Sequence, residues 1–195
     1  MRTQWSPLKP KGGANYRTRF LHPTGDDRVT FDPARMSKTI VLSVFAFGAV
    51  FLLIGSALTI IWMAGGAGKN GGGSIFRFAG PGFLVGGLFC IAAGVFLKGQ
   101  LLQVIVFDRQ TGRYWQGSDK KASDLHDIHA LQILEKRVKQ SGPDGGTFTS
   151  FELNVVASSG QRQNVIDHCE LDALRDEAQT LAEFLRVPLW DTTND

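Results

Sequence analysis

The stretch "DLHDIHA" sets His126 and His129 three residues apart, with Asp124 and Asp127 beside them. On a helical turn this spacing puts two imidazoles on one side, which is how a single element grips a divalent metal. A closed site needs three or four ligands, and the other donors of that kind in the second half of the chain are His168 and Cys169. The stretch therefore reads as a solvated loop entering a strand. His168 and Cys169 are adjacent in sequence, and adjacency alone does not make a base and a nucleophile. No serine stands in a nucleophile-elbow pattern. The glycine run at 65–73 does not carry the phosphate-loop pattern. The expectation is a chain without catalytic residues, metal or cofactor, so that its chemistry is binding.

Charge segregation sets the elements around these residues. Residues 39–65 and 78–97 carry no charged side chain, while the flanking segments are rich in them. Two uncharged spans of that length predict transmembrane helices, at 39–63 and 78–97. The first, with 25 residues, reaches about 37 Å as a helix. Ser37 is its expected N-cap. Pro81 is expected in the first turn of the second, where a missing N–H is tolerated. "AGGAGKNGGGS" joins them, so residues 39–98 form a helical hairpin with both tails on one side.

Seven basic residues flank the tail side (Arg19, Arg28, Arg35, Lys38, Lys98, Arg109 and Arg113), against Lys69 and Arg77 on the loop side. This asymmetry predicts a multi-pass protein of the cytoplasmic (inner) membrane with both termini cytoplasmic. Residues 1–38 hold eight basic and three acidic side chains, and residues 98–195 hold eleven basic and fifteen acidic. A basic tail beside a bilayer attracts anionic headgroups; Lys9, Lys11, Arg17, Arg19, Arg35 and Lys38 are the expected contacts. The acidic larger part argues against nucleic acid as a partner. Cys90 lies in the second span and Cys169 in the soluble part, so no disulfide is expected between them.

Outside the spans the period changes to two. "LLQVIVFD", "RYWQG", "HALQILEKRVK", "FTSFELNVVASS" and "QRQNVIDH" read as strands of residues 99–195. A helix over 170–186 follows, with Leu171, Leu174, Ala178, Leu181 and Leu185 on one stripe, Asp167 as its cap and Arg186 at its end. "ANYRTRFLH" and "DRVTFDP" in the tail of residues 1–38 form a hairpin. Seven strands and a closing helix match the count of a pleckstrin-homology-like (PH-like) barrel. The expected fold is thus an α+β membrane protein whose transmembrane hairpin is inserted into, or precedes, a PH-like barrel or sheet capped by a C-terminal helix.

"WSPLKPKGGANYRTRFL", "VFDRQTGRYW" and "LAEFLRVPLWD" resemble a group of uncharacterised bacterial proteins with two membrane spans and a cytosolic PH-like domain. That resemblance covers nearly the whole chain and implies an architecture rather than a reaction. PH domains that bind inositol phosphates use basic residues around the first hairpin; the turn here, "PTGDDR", holds two acids. In the second span Gly82, Gly86, Cys90 and Gly94 recur every four residues, a small-residue stripe for helix packing or homodimerisation. The reading as a whole is a non-enzymatic, membrane-anchored interaction or scaffold module. Its partner would be a protein or a second copy, met through the second span or a barrel edge. The rival readings are a sensor of anionic lipid surfaces and a dedicated inhibitor, immunity or assembly factor for another membrane protein.

Overall fold

A computed structural model describes residues 4–8, 13–64, 73–139 and 145–193. The chain is α+β, with two long apolar helices and two sheets. It divides into two units, residues 1–34 with 103–195, and residues 35–102.

In the first unit, β1 (Arg19–Pro23) and β2 (Arg28–Pro33) form the N-terminal hairpin. Gly25 takes φ +73 in its turn, a left-handed conformation that a side chain resists. After the helical segment come β3 (Ile105–Asp108) and β4 (Arg113–Gln116), joined by a turn with Gly112 at φ +67. β2 pairs with β3 in antiparallel register, Phe31 opposite Ile105 and Val29 opposite Phe107. The helical segment thus lies between two hydrogen-bonded neighbours. The two-residue strand β5 (Ser123–Asp124) completes a sheet of order β1-β2-β3-β4-β5. The second sheet, β8-β7-β6-β9, contains β6 (Ile128–Lys139), β7 (Thr147–Ala157), β8 (Arg162–His168) and β9 (Leu189–Asp191), the last parallel to β6.

The two sheets share one core with α3 (Leu171–Leu185). Phe31 and Phe107 meet edge to face, and Phe107 stacks on Tyr114 at 5.5 Å. Ile133, Leu153 and Val165 face them from the second sheet, and Leu174, Ala178 and Leu181 from the helix. Each large apolar side chain buried this fully contributes about 1.5–3 kcal/mol. The sheets are tied at one seam by polar groups. Thr18 donates its N–H to the Asp167 carbonyl at 3.1 Å, and its hydroxyl accepts from the Asp167 N–H at 3.1 Å.

Several local expectations are corrected. Asp167 does not cap α3; it ends up paired with Lys136, and the cap position falls to Glu170, whose side chain makes no capping bond. Arg186 closes the helix in the left-handed conformation, φ 57. Arg109 donates to the Phe184 carbonyl and lies 4.3 Å over the Phe184 ring, adding to the Arg186 and Val187 N–H groups that bond the Glu183 and Ala182 carbonyls at this helix end. β9 and β5 escaped the periodicity reading because two or three residues show no alternation. "LLQVIVFD" is strand only from Ile105, its first residue being the last of a helix.

The second unit is a helix pair, α1 (Arg35–Met63) and α2 (Gly73–Leu101), longer than the expected 39–63 and 78–97. Both are long and apolar enough to cross a membrane by length and composition. Ser37 lies inside α1 rather than capping it, because the helix starts directly after Pro33 and Ala34. Pro81 lies inside α2, past its second turn, since the helix begins at Gly73. The helices approach through glycines seven residues apart. A Cβ at Gly55 would sit 2.7 Å from the Leu84 nitrogen, and one at Gly87 would sit 2.8 Å from Leu52 and 3.0 Å from the Gly48 carbonyl. Gly80 meets Thr59 in the same seam. Gly87→Leu is expected to force the helices apart and destabilise the detergent-solubilised protein by about 1–3 kcal/mol. Gly82→Leu, at a position with nothing within 4 Å, should melt like wild type. Equal melting temperatures for the two variants would refute this seam.

Candidate functional site

Past a bulge at Ile128–Ala130, β6 alternates as β7 does, and their two faces differ. Leu131, Ile133, Leu153 and Val155 point into the core. The opposite face carries Gln132, Lys136, Ser150, Glu152 and Asn154, all of them buried. An outer sheet face of this composition normally meets water. Here Lys136 is 4% exposed and Glu152 is 1% exposed.

The layer is a connected network. Lys136 Nζ donates to Glu152 Oε2 at 3.1 Å and to Asp167 Oδ1 at 2.5 Å. Glu152 Oε1 accepts from Asn154 Nδ2 at 2.8 Å, and Asn154 Oδ1 accepts from Asn164 at 3.4 Å. Arg162 donates to Gln132 Oε1 at 3.2 Å. The cover is the N-terminal segment. Leu8 donates its N–H to Glu152 Oε1 at 2.9 Å, the Ser6 carbonyl accepts from Arg162 at 2.8 Å, and the Gln4 carbonyl accepts from Gln132 Nε2 at 3.3 Å. Ser150 Oγ donates to the Ala14 carbonyl at 3.2 Å. Trp5 packs on Trp190 with ring centroids 5.7 Å apart, and His129 meets the same Trp190 edge-on. The signal for this cover was present in the sequence and missed: Leu134 and Val138 share the polar face, and a fully solvated face would not carry them.

A second polar feature is a cleft of about 260 Å³ lined by Gln103, Tyr114, Gln116, Lys121, Ser123 and Gln163, with Gln163 donating to Gln116 at 3.2 Å. Burial pushes the Tyr114 hydroxyl above its usual value, against a hydrogen bond from Ser123 and with a smaller push from the Asp127 charge. The phenol stays neutral at physiological pH.

Of the residues that the sequence offered as metal ligands, Asp124 instead caps a short 3-10 turn by accepting the His126 N–H at 2.8 Å, and His129 packs on Trp190. Among the described residues, no group of three His, Cys, Asp or Glu side chains is placed to hold a metal ion. Cys90 and Cys169 are both free.

The expected lipid contacts scatter. Lys9 and Lys11 lie outside the described residues. Arg17 pairs with Glu177 and covers the Phe20 ring at 4.1 Å. Arg19 is corrected from a headgroup ligand to an interior group. It is 7% exposed and donates to the carbonyls of Gln103, at 3.3 Å, and Val165, at 2.8 Å. Burial lowers its pKa, opposed by the Asp167 charge. Arg35 and Lys38 are exposed at the start of α1. Three of the four small residues of the stripe, Gly86, Cys90 and Gly94, face α1, and Gly82 has nothing within 4 Å of a Cβ position. A Cβ at Gly94 would lie 3.0 Å from the Phe45 ring and one at Gly86 3.3 Å from the Phe51 ring; Cys90 lies 3.2 Å from a Cβ position at Gly48. Gly82 faces an apolar groove lined by Phe51, Ala79 and Phe83.

No protein-family model, no curated protein and no solved structure matches the chain. Its functional reading therefore rests on its own geometry.

Two expectations follow from the buried groups. Lys136→Met leaves Glu152 and Asp167 without their cation and should cost about 3–5 kcal/mol in urea denaturation; a loss below about 1 kcal/mol would show that the layer is not held by this ion cluster. His168 is the second case. It is 2% exposed, its Nδ1 accepts the Glu170 N–H at 2.8 Å, and its Nε2 has no partner among the described residues. Burial and the nearby Arg17 cation hold its pKa below the usual value, against the pull of Glu177 and Glu170. The unfolded chain therefore takes up this proton first as pH falls. The stability linked to His168 is complete above about pH 6.5 and is lost as pH drops through the lower folded value. His168→Asn, which keeps an acceptor for Glu170, should show a flatter stability profile between pH 7 and 5, and an unchanged slope would exclude His168 as its source.

Proposed function

We propose that the chain is a membrane-anchored interaction module, in which α1 and α2 cross the bilayer and hold a PH-like sheet-and-helix unit at its cytoplasmic surface. The observation that carries this reading is the pairing of β2 with β3. Both ends of the helical segment enter one hydrogen-bonded sheet, so both must lie on the same side of any bilayer that the helices cross. The outward side chains of the helices suit lipid: Phe47, Leu53, Phe78 and Phe89 are among the large apolar groups left exposed. The excess of basic residues near the tail side supports a cytoplasmic placement. Burial of Arg19 and pairing of Arg17 remove two of the cations that a lipid sensor would use, which favours a protein partner over a headgroup.

The test is purification of the full-length protein from its native membrane in mild detergent, followed by mass spectrometry, with alkaline carbonate washing of the membranes as the control for integration. A stoichiometric protein partner and retention in the washed membrane are the expected results. Release by carbonate would overturn the anchor, and a preparation carrying lipid alone would overturn the protein-binding reading.

A further inference from the structure

The cover on the polar sheet face is held in an unusual way. Residues 4–8 and 13–14 form no helix or strand. Yet their main chain makes four hydrogen bonds to side chains of the second sheet: Gln4 O to Gln132, Ser6 O to Arg162, Leu8 N to Glu152, and Ala14 O to Ser150. The sheet side chains thus read the carbonyls and an N–H of a passing backbone. Such reading is indifferent to most side chains of the segment that is read.

Two positions are selective. Trp5 is anchored on Trp190. Gly13 passes so close to the face that a Cβ would lie 2.7 Å from Val138 Cγ2 and 3.1 Å from the Ser150 Cβ. The bound segment is therefore defined by an aromatic anchor and a glycine eight positions later. The buried groups beneath favour a covered face. Gln132, Ser150 and Glu152 have their hydrogen-bonding capacity completed by this cover, and their bonds would otherwise have to be remade with water.

We propose that the outer face of β6–β7–β8 is a peptide-docking site, occupied in cis by the N-terminal segment of the chain and opened when an extended segment of a protein partner, carrying the same aromatic anchor and glycine spacing, displaces it. This rests on the interaction-module reading and names its site and the chemistry of its partner. The tether sets the energetics. A covalently linked segment competes at a local concentration on the order of millimolar, so a free peptide of equal intrinsic affinity gains entry only when it is abundant or when the tether is cut.

The test inserts a protease site between Ala14 and Asn15 of the full-length protein and uses a fluorescent peptide spanning residues 4–14 as the probe. Uncut protein should bind the peptide weakly. Cut protein, freed of the released fragment, should bind at least about tenfold more tightly, and peptides with Trp5→Ala or Gly13→Ala should lose at least about tenfold. A cut protein that melts cooperatively but takes up no peptide overturns the proposal, as does binding that ignores both substitutions. If cutting unfolds the protein, the uncut double variant Trp5→Ala/Leu8→Pro, which lacks the anchor and the N–H given to Glu152, replaces it. That variant should bind the wild-type peptide more tightly than wild-type protein does, and equal binding overturns the proposal. The outcomes stay separate from those of the module reading. Peptide exchange without a co-purified partner keeps the site and removes the module's protein partner, whereas a stoichiometric partner without peptide exchange keeps the module and removes the site.

Discussion

The antiparallel pairing of β2 with β3 is the constraint on which the rest of the molecule depends. It joins residues on either side of the whole helical segment, Arg28 opposite Asp108 and Phe31 opposite Ile105. Through it Phe31 and Phe107 enter the same core. Closing so long a connection costs entropy, though the cost grows only slowly with length. The connection is also far from a loose loop. α1 and α2 are each 29 residues long, and a packed antiparallel pair of equal lengths returns the chain close to where it left. Arg28 and Asp108 secure the far end of the register. Asp108 is 1% exposed, accepts from Arg28 and from the Thr111 N–H, and is held below its usual pKa first by the Arg28 hydrogen bond.

The second sheet is unusual in having a core on one side and a sealed polar layer on the other. The ion cluster of Lys136, Glu152 and Asp167 adds little net stability compared with an apolar layer, because desolvation offsets most of the attraction. What it adds is specificity. Charges this deeply buried accept only an arrangement in which each finds its partners, so they fix the position of the segment lying over them. The seam nearby works by the same logic. Thr18 and Arg19 hand their hydrogen bonds to Asp167 and Val165, and the outer strand β8 is thereby paired at its C-terminal end rather than left as an open edge.

The helix pair obeys a different rule. Its side chains are apolar on every side, so in a bilayer there is no hydrophobic gain from bringing the helices together. Close backbone approach at Gly48, Gly55, Gly80 and Gly87 supplies the contact instead. The spacing of seven keeps these positions in line along a slowly crossing pair.

How much of this was legible in the chain differs by element. Uncharged spans, the hairpin at residues 13–33, the long strands and the stripe of α3 were read from residue types and period alone, because each is a local pattern. The sheet that "ANYRTRFLH" and "DRVTFDP" join was reached only by counting strands, and it is the register that names β3 as the neighbour. The site was almost illegible. Arg19 looks like any other basic residue of a tail until the Val165 and Gln103 carbonyls are placed around it. Asp167 has the right type for a helix cap, yet it is taken by Lys136, a residue of another strand. The polar face of β6 and β7 follows directly from their alternation; its burial depends on a segment more than a hundred residues away, and period carries no information about what lies on top of a sheet. Composition and spacing therefore determined the elements and the faces they present. Tertiary structure decided which charged groups are sealed, which glycines touch and what covers the polar layer, because those outcomes depend on partners distant in sequence.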